Sequence, residues 1–113
     1  MIRPTCNLLK VAFAVALILC TGPVSAQSLE GLTWTEQKCV LYERAVKDAI
    51  EFQGPYGLRA SFLDENVNFI ASGCVKDKAI CPVTDPEIQL VNMLTIMTMN
   101  EGMASTFVPF GCD

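Results

Sequence analysis

The chain has 113 residues, eight of them basic and twelve acidic, so its formal net charge at pH 7 is −4. An acidic chain without a basic cluster argues against binding to nucleic acid or to anionic membrane surfaces, because both attract lysine and arginine. Histidine is absent, which removes the commonest general base and the commonest metal ligand. We therefore expect a protein that is not an enzyme and that uses no metal or cofactor.

Residues 1–26 have the pattern of a secretory signal peptide. Arg3 and Lys10 form a positive start, residues 11–19 are apolar, and Val24-Ser25-Ala26 offers small residues for cleavage after position 26. One alternative is a membrane anchor, but this apolar segment is far shorter than the ~20 residues that span a bilayer. Another is a lipoprotein signal at Leu17-Ile-Leu-Cys20, which is disfavoured because Leu19 is bulky where a small residue is expected. We therefore expect no stable membrane anchor after cleavage, and a location in the periplasm or outside the cell.

Cleavage leaves residues 27–113 as one predicted domain, with six basic and twelve acidic residues and a net charge of 6 − 12 = −6. This domain retains four cysteines, Cys39, Cys74, Cys81 and Cys112. An even number of cysteines in an exported chain of under ~100 residues is typical of a disulfide framework, in which each bridge adds about 2–4 kcal/mol. A four-cysteine zinc site is the alternative, but spacings of 35, 7 and 31 residues lack the short two-ligand knuckle of such sites.

The first predicted helix covers residues 34–52. Thr33 and Glu36 fit a capping box at its start, and Gly54-Pro55 is a stop signal just beyond its end. Its apolar residues fall on one stripe, and its charged residues lie mostly on the opposite face. The stripe consists of Cys39, Tyr42, Val46, Ala49 and Ile50.

The second predicted helix covers residues 61–73, with Gly73 as its end. Asp64 and Glu65 are neighbours that cannot face each other on a helix, so we interpret them as solvated charges rather than as a catalytic pair. The predicted apolar stripe consists of Leu63, Val67, Ile70 and Cys74, flanked by Phe62 and Phe69.

The third predicted helix runs from Asp85 to about Glu101. Thr84 with Glu87, and Asp85 with Pro86, are competing signals for its start. Residues 88–100 contain no charge, so this helix needs burial on most of its faces, and we predict it to be the central helix of the fold. We interpret Asp85 and Glu87 as solvated charges at the helix start.

Four of the five methionines lie in or just after the third helix, at positions 93, 97, 99 and 103. They form two pairs spaced four residues apart, which fits either core packing or an adaptable apolar binding site. Uncharged polar residues in the same segment predict one polar edge, which faces either a partner or the C-terminal tail. These residues are Gln89, Asn92, Thr95, Thr98 and Asn100.

The short loop between the first two helices makes them antiparallel and suggests how the cysteines pair. Cys39 lies thirteen residues before the end of the first helix and Cys74 thirteen residues after the start of the second, so both are about 20 Å from the shared turn. We therefore predict a Cys39–Cys74 bond, which leaves Cys81–Cys112. The predicted fold is an all-α, three-helix bundle stapled by two disulfides, with an extended C-terminal tail drawn back along the third helix.

Four short motifs stand out along the chain: Cys39-x-x-Tyr42-x-x-x-Val46-x-Asp48-Ala49-Ile50, Cys81-Pro82-x-Thr84, Gln89-Leu90-Val91 and Phe110-x-Cys112. Together they resemble those of the small periplasmic immunity proteins that neutralise type VI secreted amidase effectors. The chain departs from that family in its shorter segment between the last two cysteines. The resemblance implies an exported, helical, disulfide-bonded protein that binds an effector enzyme and catalyses nothing.

These features together predict an exported, non-enzymatic module that binds another protein, with an immunity or inhibitor role as the specific hypothesis. A periplasmic carrier of a small apolar ligand or lipid is the second hypothesis, supported by the methionines and by the four aromatic residues Phe62, Phe69, Phe107 and Phe110. A periplasmic stress chaperone that exposes apolar surface on acidification is the third. The sequence leaves the partner, the binding surface and the oligomeric state open.

Overall fold

The computed structural model describes residues 29–75 and 78–113. In this part of the chain the regular elements are three α-helices, α1 (Trp34–Gln53), α2 (Ala60–Ala71) and α3 (Asp85–Asn100). They confirm the predicted all-α fold, and each helix ends within two residues of its predicted boundary. The predicted signal peptide lies outside the described residues.

Two capping boxes start α1 and α3. The Thr33 hydroxyl accepts a hydrogen bond from the Glu36 backbone N–H at 3.2 Å, and the Thr33 N–H donates to the Glu36 carboxylate at 2.8 Å. Thr84 and Glu87 make the same reciprocal pair at the start of α3. Thr84, rather than Asp85, is therefore the N-cap of α3. Each capping box supplies hydrogen-bond acceptors to N–H groups at the helix start that otherwise have no partner.

α1 is the central helix, since it packs against both α2 and α3. α1 and α3 run antiparallel: the Trp34 ring lies against Gly102, just beyond the end of α3, and the Gln53 side-chain amide donates to the Pro86 carbonyl at 2.8 Å. The prediction that the third helix is the central one is wrong. The reason is that α3 buries only one side, which carries Glu87, Leu90, Leu94 and Thr98. An uncharged composition does not show which sides of a helix are covered.

The core joins residues from all three helices, the connector and the tail. Tyr42 of α1 is fully buried and meets Phe69 and Phe107 edge to face, with ring centroids 5.3 and 6.0 Å apart. Phe62 stacks on Phe110 at 5.9 Å. The tail thus supplies part of the core rather than covering it from outside. The buried cluster consists of Tyr42, Ala45, Ala49, Phe62, Phe69, Ile80, Leu90, Leu94 and Val108.

The predicted buried stripe of α2 is rotated from the observed one. Phe62, Asn66 and Phe69 are buried, whereas Val67 is 61% exposed. The two phenylalanines, seven residues apart, pack against the rings of Tyr42 and Phe110, and these aromatic contacts account for the orientation of the helix. The buried Asn66 amide is satisfied because its oxygen accepts from the Tyr42 hydroxyl at 2.7 Å and its nitrogen donates to the Phe62 carbonyl at 3.0 Å.

Both predicted disulfides, Cys39–Cys74 and Cys81–Cys112, are confirmed. The second bond holds the tail beside the connector. There Ile80 and Phe110 form a parallel bridge, in which the Ile80 N–H donates to the Pro109 carbonyl at 2.8 Å and the Gly111 N–H donates to the Ile80 carbonyl at 3.0 Å. Among the described helices, none has the length and apolar character needed to cross a membrane.

Candidate functional site

The four cysteines, which are the predicted site residues, are structural groups. Cys74 follows Gly73, and both have left-handed backbone angles, with φ values of 61° and 85°. The Cys74 N–H donates to the Phe69 carbonyl at 2.9 Å, which closes the last turn of α2. The Cys39–Cys74 bond therefore fixes the point where the chain leaves α2, and a left-handed cysteine is retained there although it costs about 1 kcal/mol.

An ion pair that the sequence prediction missed, with a buried carboxylate and a partly exposed guanidinium, joins the starts of α2 and α3. Glu87 has no exposed surface, and its carboxylate accepts from the Arg59 guanidinium at 2.9 Å. The same carboxylate accepts from the backbone N–H groups of Arg59, at 2.8 Å, Val83, at 2.8 Å, and Thr84, at 3.3 Å. The prediction that Glu87 is a solvated helix-start charge is wrong, because its side chain points inward and caps α2 as well as α3.

The surroundings of Glu87 keep it ionised. Burial alone would raise the pKa of the Glu87 carboxyl, but hydrogen bonds from the Arg59 side chain and from three backbone N–H groups lower it to about 2. A guanidinium nitrogen of Arg59 also donates to the Cys81 carbonyl at 3.1 Å, which ties the pair to the second disulfide. A carboxylate with this pKa and this many donors is a structural clamp, since a general acid or base near neutral pH needs a pKa close to 7.

The other polar groups of the core also have structural partners. Burial raises the pKa of the Tyr42 hydroxyl, which donates to Asn66. Thr98, predicted to lie on a polar edge, is fully buried, and its hydroxyl donates to the Leu94 carbonyl at 2.8 Å. Within residues 29–75 and 78–113, no group of three or more acidic or cysteine side chains is arranged to hold a metal ion.

The outward face of α3 is one of the exposed apolar surfaces of the described chain. Ile88, Ile96 and Met99 are 43, 59 and 51% exposed, and Asn92 lies exposed between them. The spacings of four, four and three residues place the four side chains on one side of the helix. We call these four residues the α3 face. No charged residue occurs between Asp85 and Glu101 apart from the inward-pointing Glu87.

The four methionines in and just after α3 differ in burial. Met103 is 5% exposed and belongs to the core, whereas Met99 lies on the α3 face. Met93 and Met97 are half-buried and pack against the core cluster from the edge of α3. Of the predicted polar edge, Gln89, Asn92 and Asn100 are exposed. The helix thus presents apolar and uncharged polar side chains to solvent together.

A shallow groove of about 160 Å³ runs between α1 and α3, on the opposite side of α3 from Ile88 and Asn92. Its α3 side is formed by Met97 and Glu101. Its α1 side is formed by Leu41, Arg44, Ala45 and Asp48. The groove therefore combines apolar side chains with two carboxylates and one guanidinium.

A larger groove, of about 550 Å³, lies between α2 and the connector. It is open to solvent, and its wall is mainly apolar with polar groups among the apolar ones, so it would leave part of an apolar ligand in contact with water. Phe69 and Ile80 form its apolar part together with Val75. Its polar part consists of Glu65, Asn68, Ser72 and Lys78.

The chain matches no protein-family model, no curated protein and no solved structure. The geometry of the described residues is therefore the basis for assigning a function.

Proposed function

We propose that this protein is an exported, non-enzymatic module that binds another protein, and that the α3 face is its binding surface. The observation that carries the proposal is the exposure of Ile88, Ile96 and Met99 on an uncharged helix face. Solvent-facing helix residues of small domains are normally charged or polar, and an apolar face with a polar surround is typical of an interaction site.

The scaffold supports this role because it holds the face rigidly. α3 is fixed at its start by the Glu87 clamp and at its end by Met103, whose N–H donates to the Thr98 carbonyl at 3.0 Å. Two disulfides further restrict the chain. A preorganised surface loses little conformational entropy on binding, so a small area can still give useful affinity.

An immunity or inhibitor role is the specific form that we propose, on the strength of the motif resemblance in α1, the connector, α3 and the tail. In this role the protein would bind a secreted hydrolase and block its action on the cell. Inhibition of a hydrolase encoded beside this protein, at one-to-one stoichiometry, is the expected result. A neighbouring hydrolase that remains fully active in the presence of excess protein would contradict this form.

The binding role itself is tested by site-specific photo-crosslinking in the source organism. A photoreactive phenylalanine analogue at position 96 should give a crosslinked product with a different protein, whereas the same analogue at position 67 should not. Val67 is the matched control because it is equally apolar and 61% exposed but lies on α2. Crosslinks to no other protein from either position would contradict the proposal.

The carrier hypothesis is a second candidate because the α2–connector groove exceeds the roughly 300 Å³ that small-ligand sites occupy. Its open shape and its charged residues Glu65 and Lys78 disfavour a purely apolar ligand. Native mass spectrometry of protein purified from its own host would show a bound small molecule if this hypothesis holds. A mass equal to that of the bare chain would count against it.

A further inference from the structure

We infer that the Cys81–Cys112 disulfide is a redox-controlled latch, and that its reduction by a dithiol releases the tail (residues 104–113) from the core. The released tail uncovers an aromatic cluster that is covered while the bond is intact. The latch is independent of the proposed binding function, because it changes the state of the fold and involves no partner of α3. Three features point to it: the exposure of the bond, the weak attachment of the tail and the side chains beneath the tail.

The two disulfides differ in exposure, although their sequence separations of 35 and 31 residues are similar. Cys81 and Cys112 are both exposed. Cys39 and Cys74 are half-buried, and the Cys39 sulfur lies 3.6 Å from the Ile70 carbonyl oxygen. Thiol–disulfide exchange requires a thiolate to reach a sulfur atom, and exposed disulfides are the labile or regulatory ones. A reductant in solvent therefore reaches the Cys81–Cys112 bond first.

The two bonds also differ in what they hold. Cys39 lies within α1, and the Cys74 N–H closes the last turn of α2 through the Phe69 carbonyl. Helix packing therefore keeps both of these cysteines in place when their bond opens. Cys112 lies in the tail, which the structure describes along its whole length and which contains no helix. The Cys81–Cys112 bond therefore holds an irregular segment against the rest of the fold.

Few other polar contacts attach the tail. Within the described chain, its hydrogen bonds to other segments are the two of the Ile80 bridge, which involve the Pro109 carbonyl and the Gly111 N–H. Residues 104–106 are exposed and join the tail to Met103, which is buried in the core. These three residues can serve as a hinge, because no packing fixes their side chains. Without the disulfide, the tail is held by this one bridge and by aromatic packing.

The tail covers aromatic side chains of α1 and α2. Phe110 stacks on Phe62, with ring centroids 5.9 Å apart. Phe107 meets Tyr42 and Phe69 edge to face, with centroids 6.0 and 6.2 Å apart. Tyr42, Phe62 and Phe69 are 0, 0 and 6% exposed. Release of the tail therefore brings part of these three rings into contact with water, and apolar surface of this kind binds other apolar groups.

The chemistry of the latch is a two-step thiol–disulfide exchange. A thiolate of the dithiol attacks the sulfur of Cys81 or Cys112, forms a mixed disulfide with it and displaces the other cysteine as a thiolate. The second thiolate of the reductant then attacks its own sulfur in the mixed disulfide and displaces the remaining cysteine. The dithiol is oxidised to a disulfide, two electrons pass to the protein, and the two protons of the dithiol end on Cys81 and Cys112.

The first test is stepwise reduction of protein purified from its own host with both bonds intact. The protein is treated with dithiothreitol for increasing times, free thiols are alkylated, and peptide mass spectrometry identifies the reduced cysteines. We expect Cys81 and Cys112 to be reduced at least ~10-fold faster than Cys39 and Cys74, because their bond is exposed. Oxidised glutathione should restore the same bond.

Hydrogen exchange and dye binding then show the effect of opening this bond alone. The amides of Ile80 and Gly111 should lose their protection, whereas amides within α1 and α3 should keep theirs, because the Cys39–Cys74 bond and the helix packing remain. A fluorescent dye that binds apolar surface should bind the opened form at least ~5-fold more than the oxidised form, because aromatic rings are then uncovered.

A variant tests whether tail packing and the bond are coupled. Phe110→Ala removes the stack on Phe62, which favours the closed tail and so keeps the two sulfurs near each other. It should therefore shift the equilibrium between dithiothreitol and the Cys81–Cys112 bond towards reduction by ~5-fold or more. Phe52→Ala is the matched control, because Phe52 is 83% exposed at the end of α1, and it should stay within ~2-fold of the wild type.

Several results would overturn the latch. Simultaneous reduction of both bonds, or earlier reduction of Cys39–Cys74, would show that exposure does not single out the second bond. Loss of protection throughout α1 and α3 when only Cys81–Cys112 is open would make this bond a staple of the whole domain. Tail amides that stay protected after reduction, or equal reducibility of the Phe110→Ala and Phe52→Ala variants, would show that the tail stays in place without the bond.

Discussion

Glu87 and Ile96 belong to the same helix, yet the charged residue is completely buried and the apolar one is 59% exposed. They lie nine residues apart, and at about 100° per residue this places them on opposite sides of α3. Glu87 is buried because Arg59 and three backbone N–H groups satisfy its carboxylate. The contrast teaches that position around the helix, and the partners available there, decide burial in this small domain more than side-chain polarity does.

Removal of the Cys81–Cys112 bond should cause the largest loss of stability. The bond closes a segment with a sequence separation of 31, so Cys81→Ser with Cys112→Ser should lower the free energy of unfolding by about 4 kcal/mol. Urea denaturation at pH 7 measures this loss. The tail should also detach, because the Ile80–Phe110 bridge then loses its covalent support.

The control for this prediction is Cys39→Ser with Cys74→Ser, whose bond has a similar sequence separation of 35. Its stability loss should be comparable, but the Ile80 and Gly111 amides should stay protected from hydrogen exchange. Equal protection of those amides in both double variants would show that the bridge does not depend on the second disulfide.

Glu87→Gln should lower the free energy of unfolding by about 2 kcal/mol, because the Arg59 guanidinium, which is 39% exposed, and three backbone N–H groups lose a charged acceptor. Asp85→Asn changes an exposed acid two residues earlier and should cost less than about 0.5 kcal/mol. Similar losses in the two variants, measured by urea denaturation, would show that the clamp contributes nothing beyond a helix-start charge.

The clamp should also control stability in acid. The folded-state pKa of Glu87, about 2, lies below the ordinary value of 4.5, so its contribution is complete above about pH 4.5 and is lost as the pH falls towards 2. The difference in unfolding free energy between the wild type and Glu87→Gln should therefore narrow across this window. A difference that stays constant from pH 6 to pH 2 would contradict the lowered pKa.

Gly57→Ala should cost about 2 kcal/mol, because it strains the contact between the α1–α2 loop and α3. Gly57 has a φ of +83°, and an added Cβ would lie 2.5 Å from the Pro86 Cγ atom, so backbone strain and a ring contact combine. Gly73→Ala is the control, since Gly73 has a φ of +85° with no atom within 4 Å of an added Cβ. Thermal unfolding should show a smaller loss of stability for Gly73→Ala than for Gly57→Ala. Equal losses would show that the contact between the added Cβ and Pro86 has no effect on stability.

Ile96→Gln should have the smallest effect, a change of less than about 0.5 kcal/mol in unfolding free energy, because the side chain is mostly exposed. Leu94→Ala, two residues earlier on the buried side of the same helix, should cost about 3 kcal/mol. A large loss of stability from Ile96→Gln would mean that the α3 face serves the fold rather than a partner.

Local sequence signals were sufficient for the helices and the disulfides. The capping boxes at Thr33 and Thr84 depend on residues three positions apart, so the chain displays them without any knowledge of the fold. The cysteine pairing followed from the lengths of two antiparallel helices joined by a short loop. Errors arose where a choice depended on distant partners. The apolar pattern of α2 fits both a stripe through Val67 and one through Phe62 and Phe69, and only packing against Tyr42 selects the second.

The candidate site was predictable only in part for the same reason. The uncharged segment 88–100 pointed to a special role for α3, but its composition could not show that Thr98 faces the core while Ile96 faces solvent. Likewise, Arg59 and Glu87 lie 28 residues apart in the chain, and no local pattern connects them. A capping box marked Glu87 as a helix-start residue without showing that its carboxylate also caps α2.

The sequence by itself determined the capping boxes of α1 and α3 and the three-helix class, because these depend on backbone geometry and on short-range hydrogen bonds. The lengths of two antiparallel helices predicted the disulfide pairs. Only the tertiary structure decided which sides of the helices are covered. Which sides are covered depends on how the large aromatic side chains of α1, α2 and the tail pack together. In the packed structure Glu87 is buried and Ile96 is exposed. Burial is shared among segments far apart in the chain, so it is a property of the assembled fold.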